Sequence, residues 1–245
     1  MPYAVMAQRH AISGADHGLD DFPTYPFATR ALCEHVVDLA GMTVWEPTCN
    51  RGNMVRPLRE YAAQVIATDI VRYSALGRTF DFLSLERGAE RPAGAERVDW
   101  VIANPPFRLL EDFIRVALTV AERGVAMIVR TQVLEGLGRY EAIYRPYHGY
   151  FSFAQFVERV AMVEGRLDRL ASTATAYGWL VLEKRQARPS ALVHIAPCRY
   201  ALEFRTDYIL GPVRPPLRRR RLRAAGPGGR IAVRSRRFRT SRRWW

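Results

Sequence analysis

Apolar residues fall along this chain in two alternating patterns. Short dense runs rich in Val, Ile and Trp are separated by stretches whose apolar positions recur every three or four residues. The dense runs predict strands near 43–46, 64–69, 79–81 and 98–103, then Gly124–Arg130, Tyr177–Glu183 and the less strongly patterned Ala191–Ile195. The spaced runs predict helices. One covers Phe27–Leu39, with Ala28, Ala31, Leu32, His35, Val36 and Leu39 along one side and Gly41 as its stop. A second starts near Val55 (Leu58, Tyr61, Ala62 following), and a third covers Leu109–Glu122. Strands alternating with helices imply a mostly parallel sheet covered on both faces.

Two strand ends carry the chemistry. The run Val98–Ala103 stops at Asn104-Pro105-Pro106-Phe107. Two prolines cannot donate to a ladder, so the strand ends in a stiff tip, and Pro105 holds Asn104 extended. A carboxamide oxygen beside a backbone carbonyl can accept both hydrogens of an exocyclic amine, and Phe107 offers a face for a flat ring. A proline-rich turn after a buried strand is the plainer reading of this segment alone. The other strand end is Glu46-Pro47-Thr48-Cys49-Asn50-Arg51-Gly52-Asn53-Met54, an acid followed by a tight turn and a helix. That order is how an open α/β sheet binds a nucleoside at the end of its first strand, with Gly52 expected to let backbone approach the ligand. Asp69 closes the next strand about 20 residues further on, the spacing at which an acid reaches ribose hydroxyls.

Composition adds limits. At 245 residues, 49% apolar and 25% charged, the chain suits one α/β domain with extensions. Cys33, Cys49 and Cys198 have no paired spacing, which argues against a disulfide framework or a zinc site, and no metal is expected. Cys49 reads as a small packing residue. There is no signal-peptide pattern and no apolar run near the ~18–20 residues of a membrane span, so a soluble, cytoplasmic protein with no membrane partner is expected. Residues 1–20 read as poorly ordered, with His10 and His17 exposed and inert, and His35 as a packing or surface residue.

Charge is unevenly placed. Residues 211–245 hold thirteen of the 37 basic residues and no acid, leaving 24 bases to balance 24 acids in 1–210. The net +13 is therefore a property of an Arg-, Gly- and Pro-rich tail, expected to be disordered and able to tether nucleic acid without reading its sequence. One lysine against 36 arginines is also what GC-rich DNA translated in an extended or shifted frame yields, so the tail has two readings. Between Thr131 and Arg169, Tyr140, Tyr144, Tyr147, Tyr150, Phe151, Phe153 and Phe156 alternate with Arg139, Arg145, His148 and Arg159. Such a stretch suits stacking on bases and contacting phosphates as a substrate-facing insert, or a helix and a strand that send aromatics into the core.

Taken together, these motifs resemble the class I S-adenosylmethionine-dependent amino-methyltransferases of DNA, most nearly the small phage-type N6-adenine enzymes. The resemblance runs from about Asp21 to about Glu183. It implies a Rossmann-like fold over 21–210 with S-adenosylmethionine as cofactor. It also implies DNA as partner. By the same resemblance, Phe22, Pro23 and Thr24 fold over the methionine end, Glu46, Pro47, Thr48, Asn50 and Gly52 form the cofactor loop, and Asp69 holds ribose. Asp81 and Phe82 meet the cofactor's adenine, Asn104, Pro105, Pro106 and Phe107 form the catalytic tetrapeptide, and Ala171–Trp179 approaches a late strand. Asn50 departs from the family, which usually has glycine there; asparagine is the non-glycine residue most tolerant of φ > 0. The 100-residue recognition domain of larger members has no counterpart. Cytosine-N4 methylation, protein-glutamine methylation and a decayed, binding-only protein remain alternatives.

Overall fold

A computed structural model describes residues 21–148, 150–184 and 190–209. The expectations for residues 1–20 and 211–245 lie outside these.

The framework is one eight-stranded sheet. Its strands are β1 (Thr43–Glu46), β2 (Gln64–Asp69), β3 (Arg78–Thr79), β4 (Val98–Ala103), β5 (Ala121–Arg130), β6 (Phe151–Phe156), β7 (Tyr177–Glu183) and β8 (Ala191–Ile195). They lie in the order β3-β2-β1-β4-β5-β7-β6-β8. All neighbours run parallel except β7, which is antiparallel to both β5 and β6. Helices α1 (Pro26–His35) and α2 (Val55–Tyr61) cover one face, and α3 (Leu110–Val120) covers the other. This is a Rossmann-like α/β fold.

The dense apolar runs are explained by burial on both faces. Along β4, Trp100 and Ile102 enter the core beneath α1, while Val101 and Ala103 enter the core beneath α3. Ala126 and Ile128 of β5 alternate with Val125 and Met127 in the same way, as do Trp179 and Val181 of β7 with Leu180 and Leu182. Gly178 has no side chain because a Cβ there would lie 2.6 Å from the Phe153 ring on the neighbouring strand.

Helix α1 is buried over eight consecutive residues, Pro26–Cys33, more than one helical stripe can hide against a sheet. The Trp179 indole N–H donates to the Ala28 carbonyl at 3.0 Å and pins the helix to the sheet. Residues 199–208 cover its other side. The link is Arg30, whose guanidinium makes paired bonds of 2.8–2.9 Å to the carboxylates of Glu60 and Asp207, a further bond to the Leu202 carbonyl, and lies 4.2 Å over the Phe204 ring. Burial pulls the guanidinium pKa down, but the two carboxylates outweigh it and hold Arg30 charged.

Several boundaries differ from those the pattern predicts. Helix α1 ends at His35, four residues early, because the Leu32 carbonyl accepts from both Val36 and Val37 and the helix cannot continue. The strand expected at 79–81 is Arg78–Thr79, since the Asp81 carboxylate accepts from the Leu83 N–H and opens a tight helical turn over Phe82–Arg87. Helix α3 stops at Val120 and β5 begins at once, so Glu122 is a strand residue; Ala121 pairs with Val98 of β4. The 131–169 stretch divides: β6 is an internal strand with Phe153 and Phe156 buried, Tyr144 is also buried, and Tyr140 and Tyr150 are exposed. No helix among the described residues is long and apolar enough to cross a membrane.

Replacing Arg30 with methionine strands two buried carboxylates. The variant is expected to lose about 3–5 kcal/mol of stability, read as a lowered denaturant midpoint.

Candidate active site

The parallel strands bring several chain segments to one edge of the sheet. Glu46 lies beside Ala67, two residues before Asp69, and Trp45 lies beside Val101, two before Ala103. The ends of β1, β2 and β4 therefore open into a single cleft of about 900 Å³, open mouth included. It is lined by Phe22, Pro23 and Thr24, by Glu46, Pro47, Thr48 and Asn50, by Asp69, by Asp81 and Phe82, and by Asn104 and Pro106. Gly52, Pro105 and Phe107 are not on its wall.

The loop after β1 turns through two left-handed residues, Asn50 at φ 46° and Gly52 at φ 82°. Asn50 is the one non-glycine residue in that region among the described residues, and its surroundings hold it there. Its N–H donates to the Asp69 carboxylate at 2.8 Å. Its side-chain amide donates to Asp21 at 2.6 Å and its side-chain oxygen accepts from the Arg51 N–H at 2.6 Å. The glycine expected in this turn is thus replaced by a residue whose side chain adds the bonds to Asp21 and to the Arg51 N–H, two beyond what glycine could make. Gly52 takes a backbone conformation that favours glycine, and a Cβ there would lie 2.5 Å from Leu76 Cδ1.

The floor of the cleft is electrostatically unfinished. Glu46 is 1% exposed, and its Oε2 has no hydrogen-bond partner among the described residues, nor has the buried hydroxyl of Thr24 on the same wall. Burial, with Asp69 nearby, pushes the Glu46 carboxyl well above the usual carboxylate range. Burial also raises Asp69, opposed by N–H bonds from Asn50, Val71 and Ile70. An isolated buried carboxyl is costly unless a cation or donor meets it. A ligand with an ammonium group near Glu46 and Thr24, and with hydroxyls near Asp69, would satisfy all three. Cys49 also lines the cleft, its thiol pKa raised by burial, packed where a Cβ on Gly77 would collide with it.

Phe82 is buried edge-on to Trp45 at 5.0 Å and stacked on Phe113 at 5.4 Å, so its ring is fixed. The Asp81 carboxylate, expected to meet a base, is engaged by the Leu83 N–H and the Arg87 guanidinium.

At the far end, Asn104 has a defined orientation. Its amide Nδ2 donates to the Phe22 carbonyl at 2.8 Å and approaches Met162 Sδ at 3.8 Å, and its backbone N–H donates to Thr48 Oγ1 at 3.2 Å. With the NH₂ group so committed, Oδ1 is the group left to accept. Phe107 lies beyond, with the Arg130 guanidinium 4.1 Å over its ring.

Asp21, Arg130 and Met162 are site neighbours that pattern reading does not single out. Asp21 adjoins Phe22-Pro23-Thr24 and could be found as the acid flanking that motif; the other two are brought in by β5 and by the β6–β7 connection. Arg139, which reads as a phosphate contact, instead donates to the carbonyls of Gln132, Val133 and Glu135 within its own loop. Among the described residues no group of three His, Cys, Asp or Glu side chains is placed to hold a metal ion.

No protein-family model matches the sequence, and no curated protein matches it. Solved structures do resemble its fold. A protein from Vibrio vulnificus described as the modification subunit of a type I restriction enzyme is 15% identical with a TM-score of 0.50, over 78% of this chain and 50% of that one. The methyltransferase subunit of a type I restriction-modification system from Streptococcus thermophilus is 11% identical with a TM-score of 0.47, over 71% and 47%. A protein from Agrobacterium tumefaciens described as an O-methyltransferase is 15% identical with a TM-score of 0.44, over 71% and 86%. The chain spans about half the length of the two restriction-modification subunits. What this chain shares with the Vibrio vulnificus protein is the Rossmann-like α/β fold.

Because burial raises the Glu46 pKa in the folded state, the folded protein keeps this proton to higher pH than the unfolded chain. Stability is then lost as pH rises through that window. Glu46→Gln is expected to raise the thermal midpoint of the ligand-free protein more at pH 8 than at pH 5, by about 2–4 °C per kcal/mol relieved.

Proposed function

We propose that this protein is an S-adenosylmethionine-dependent DNA methyltransferase that modifies the exocyclic N6 amine of adenine. The observation that carries this reading is the orientation of Asn104: its NH₂ is held by the Phe22 carbonyl, which leaves Oδ1 to accept an incoming amine. Phe22 belongs to the Phe22-Pro23-Thr24 segment assigned to the cofactor, so the substrate grip and the cofactor cover are tied together by one bond.

Bound along the cleft, S-adenosylmethionine would supply an electrophilic methyl group on a sulfonium centre. Glu46 and Thr24 suit its ammonium end, Asp69 its ribose hydroxyls, and Phe82 the edge of its adenine. The chain's own work is placement. Asn104 Oδ1 and the Pro105 carbonyl would accept the two amino hydrogens of the target. The nitrogen lone pair, otherwise delocalised into the ring, would then turn toward the methyl carbon, and alignment would supply most of the rate. Phe107 would receive a base turned out of the stack. Glu46 acts on the cofactor and not as a base, and no metal has a role. The arginines of 211–245 favour a polyanionic partner by charge alone.

The test is transfer of labelled methyl groups from S-adenosylmethionine to unmethylated DNA, with nucleosides resolved after digestion. Label in N6-methyladenine is expected, reduced on the order of 10²–10³-fold by Asn104→Ala. Glu46→Gln is expected to weaken cofactor binding by about tenfold in calorimetry, the size of one hydrogen bond to a charged group. A chain ending at Leu210 should keep cofactor affinity and lose affinity for DNA, most clearly at low salt. Label in N4-methylcytosine or in a glutamine-bearing protein instead would redirect the reading to those substrates, and cofactor binding with no transfer to any acceptor would overturn it.

A further inference from the structure

Arg130 is the last residue of β5, on the strand beside β4, three positions beyond the Ala103–Met127 pair and on the same edge of the sheet as the Asn104–Phe107 tip. Its guanidinium lies 4.1 Å over the ring of Phe107. On the other side its neighbour across the β5–β7 ladder is Tyr177, which is buried. Its Nε is buried without an acceptor, and it belongs to no ion pair among the described residues.

A cation held beside the core without a carboxylate is hard to justify as packing, because an apolar side chain would cover Phe107 at lower desolvation cost. A planar guanidinium can, however, lie flat on an aromatic face, where ring and charge attract. It closes one face of Phe107. A base that stacks on this ring would take the opposite face.

We propose that Arg130 is a positioning residue for the nucleobase substrate, acting through Phe107: the guanidinium backs the ring, and the ring receives the target base. The role rests on the base-methylation reading above. It differs from that of a phosphate ligand, which would bind DNA by charge, and from that of a core residue, which would affect every property of the protein.

The experiment measures methyl transfer to unmethylated genomic DNA by the full-length wild type, Arg130→Met and Arg130→Lys, with cofactor affinity and thermal midpoint measured alongside. Transfer by the wild type tests the base-methylation reading, and the variants test this inference. Arg130→Met is expected to raise the KM for DNA about tenfold while cofactor affinity stays at the wild-type value. The dependence of log KM on log salt is expected to keep its slope. Arg130→Lys should recover little, because an ammonium cannot lie flat on the ring. Wild-type kinetics in Arg130→Met would overturn the proposal. So would a salt slope shallower by about 0.9, the signature of one lost phosphate contact. A parallel fall in cofactor affinity would mark a core role instead. Should Arg130→Met fail to fold, Arg130→Lys decides, because it keeps the charge and removes the planar face over Phe107; wild-type DNA kinetics there overturn the proposal. A wild type that methylates no DNA overturns the reading and this inference together.

Discussion

One short segment, Asp21–Tyr25, holds the two ends of the cleft in register. Asp21 accepts from the Asn50 side chain and from Arg51, which fixes the loop after β1. The next residue, Phe22, gives its carbonyl to Asn104 after β4. The Tyr25 hydroxyl donates to the Asp168 carbonyl at 2.5 Å and ties the segment to the connection before β7. Three loops that share no sequence neighbourhood are thereby fastened to five consecutive residues. Those residues lead directly into α1, which Trp179 and Arg30 lock between the sheet and residues 199–208. The site is as rigid as this helix, and the helix is as rigid as the ion-paired cover behind it.

Within that frame the protein tolerates two local costs at the cleft. Asn50 adopts a backbone conformation that an L side chain rarely takes, balanced by hydrogen bonds to Asp21, Arg51 and Asp69. Glu46 has no such compensation, since its Oε2 has no partner among the described residues. The turn is held by bonds within the protein, and the Glu46 carboxyl is not.

The strand ladder was largely legible in the sequence. β1, β2, β4 and β7 run where the apolar pattern places them, because burial leaves a dense run that no helix periodicity imitates; β8 also falls where expected, although it is an exposed edge strand with only Ile195 buried. The boundaries that failed are those where the chain has a second option of similar energy. Ala121 and Glu122 suit a helix end as well as a strand start, and pairing with Val98 decides. Phe151–Phe156 mixes aromatic and polar residues in a way that fits a base-stacking surface or a strand. Its place between β7 and β8, with the Phe153 ring over Gly178, makes it a strand.

For the site, the sequence by itself determined the groups borne on single strand ends: Glu46, Asp69 and the stiff Asn104-Pro105-Pro106 tip, where local stereochemistry dictates both the stop and the exposed functional group. Only tertiary structure decided how some groups are turned: Arg130 covers one face of Phe107, and the Phe22 carbonyl holds the Asn104 amide so that its oxygen is left to accept. Those partners come from residues tens of positions away that no local pattern brings together, whereas Asp81 and Arg139 are bonded within their own turns.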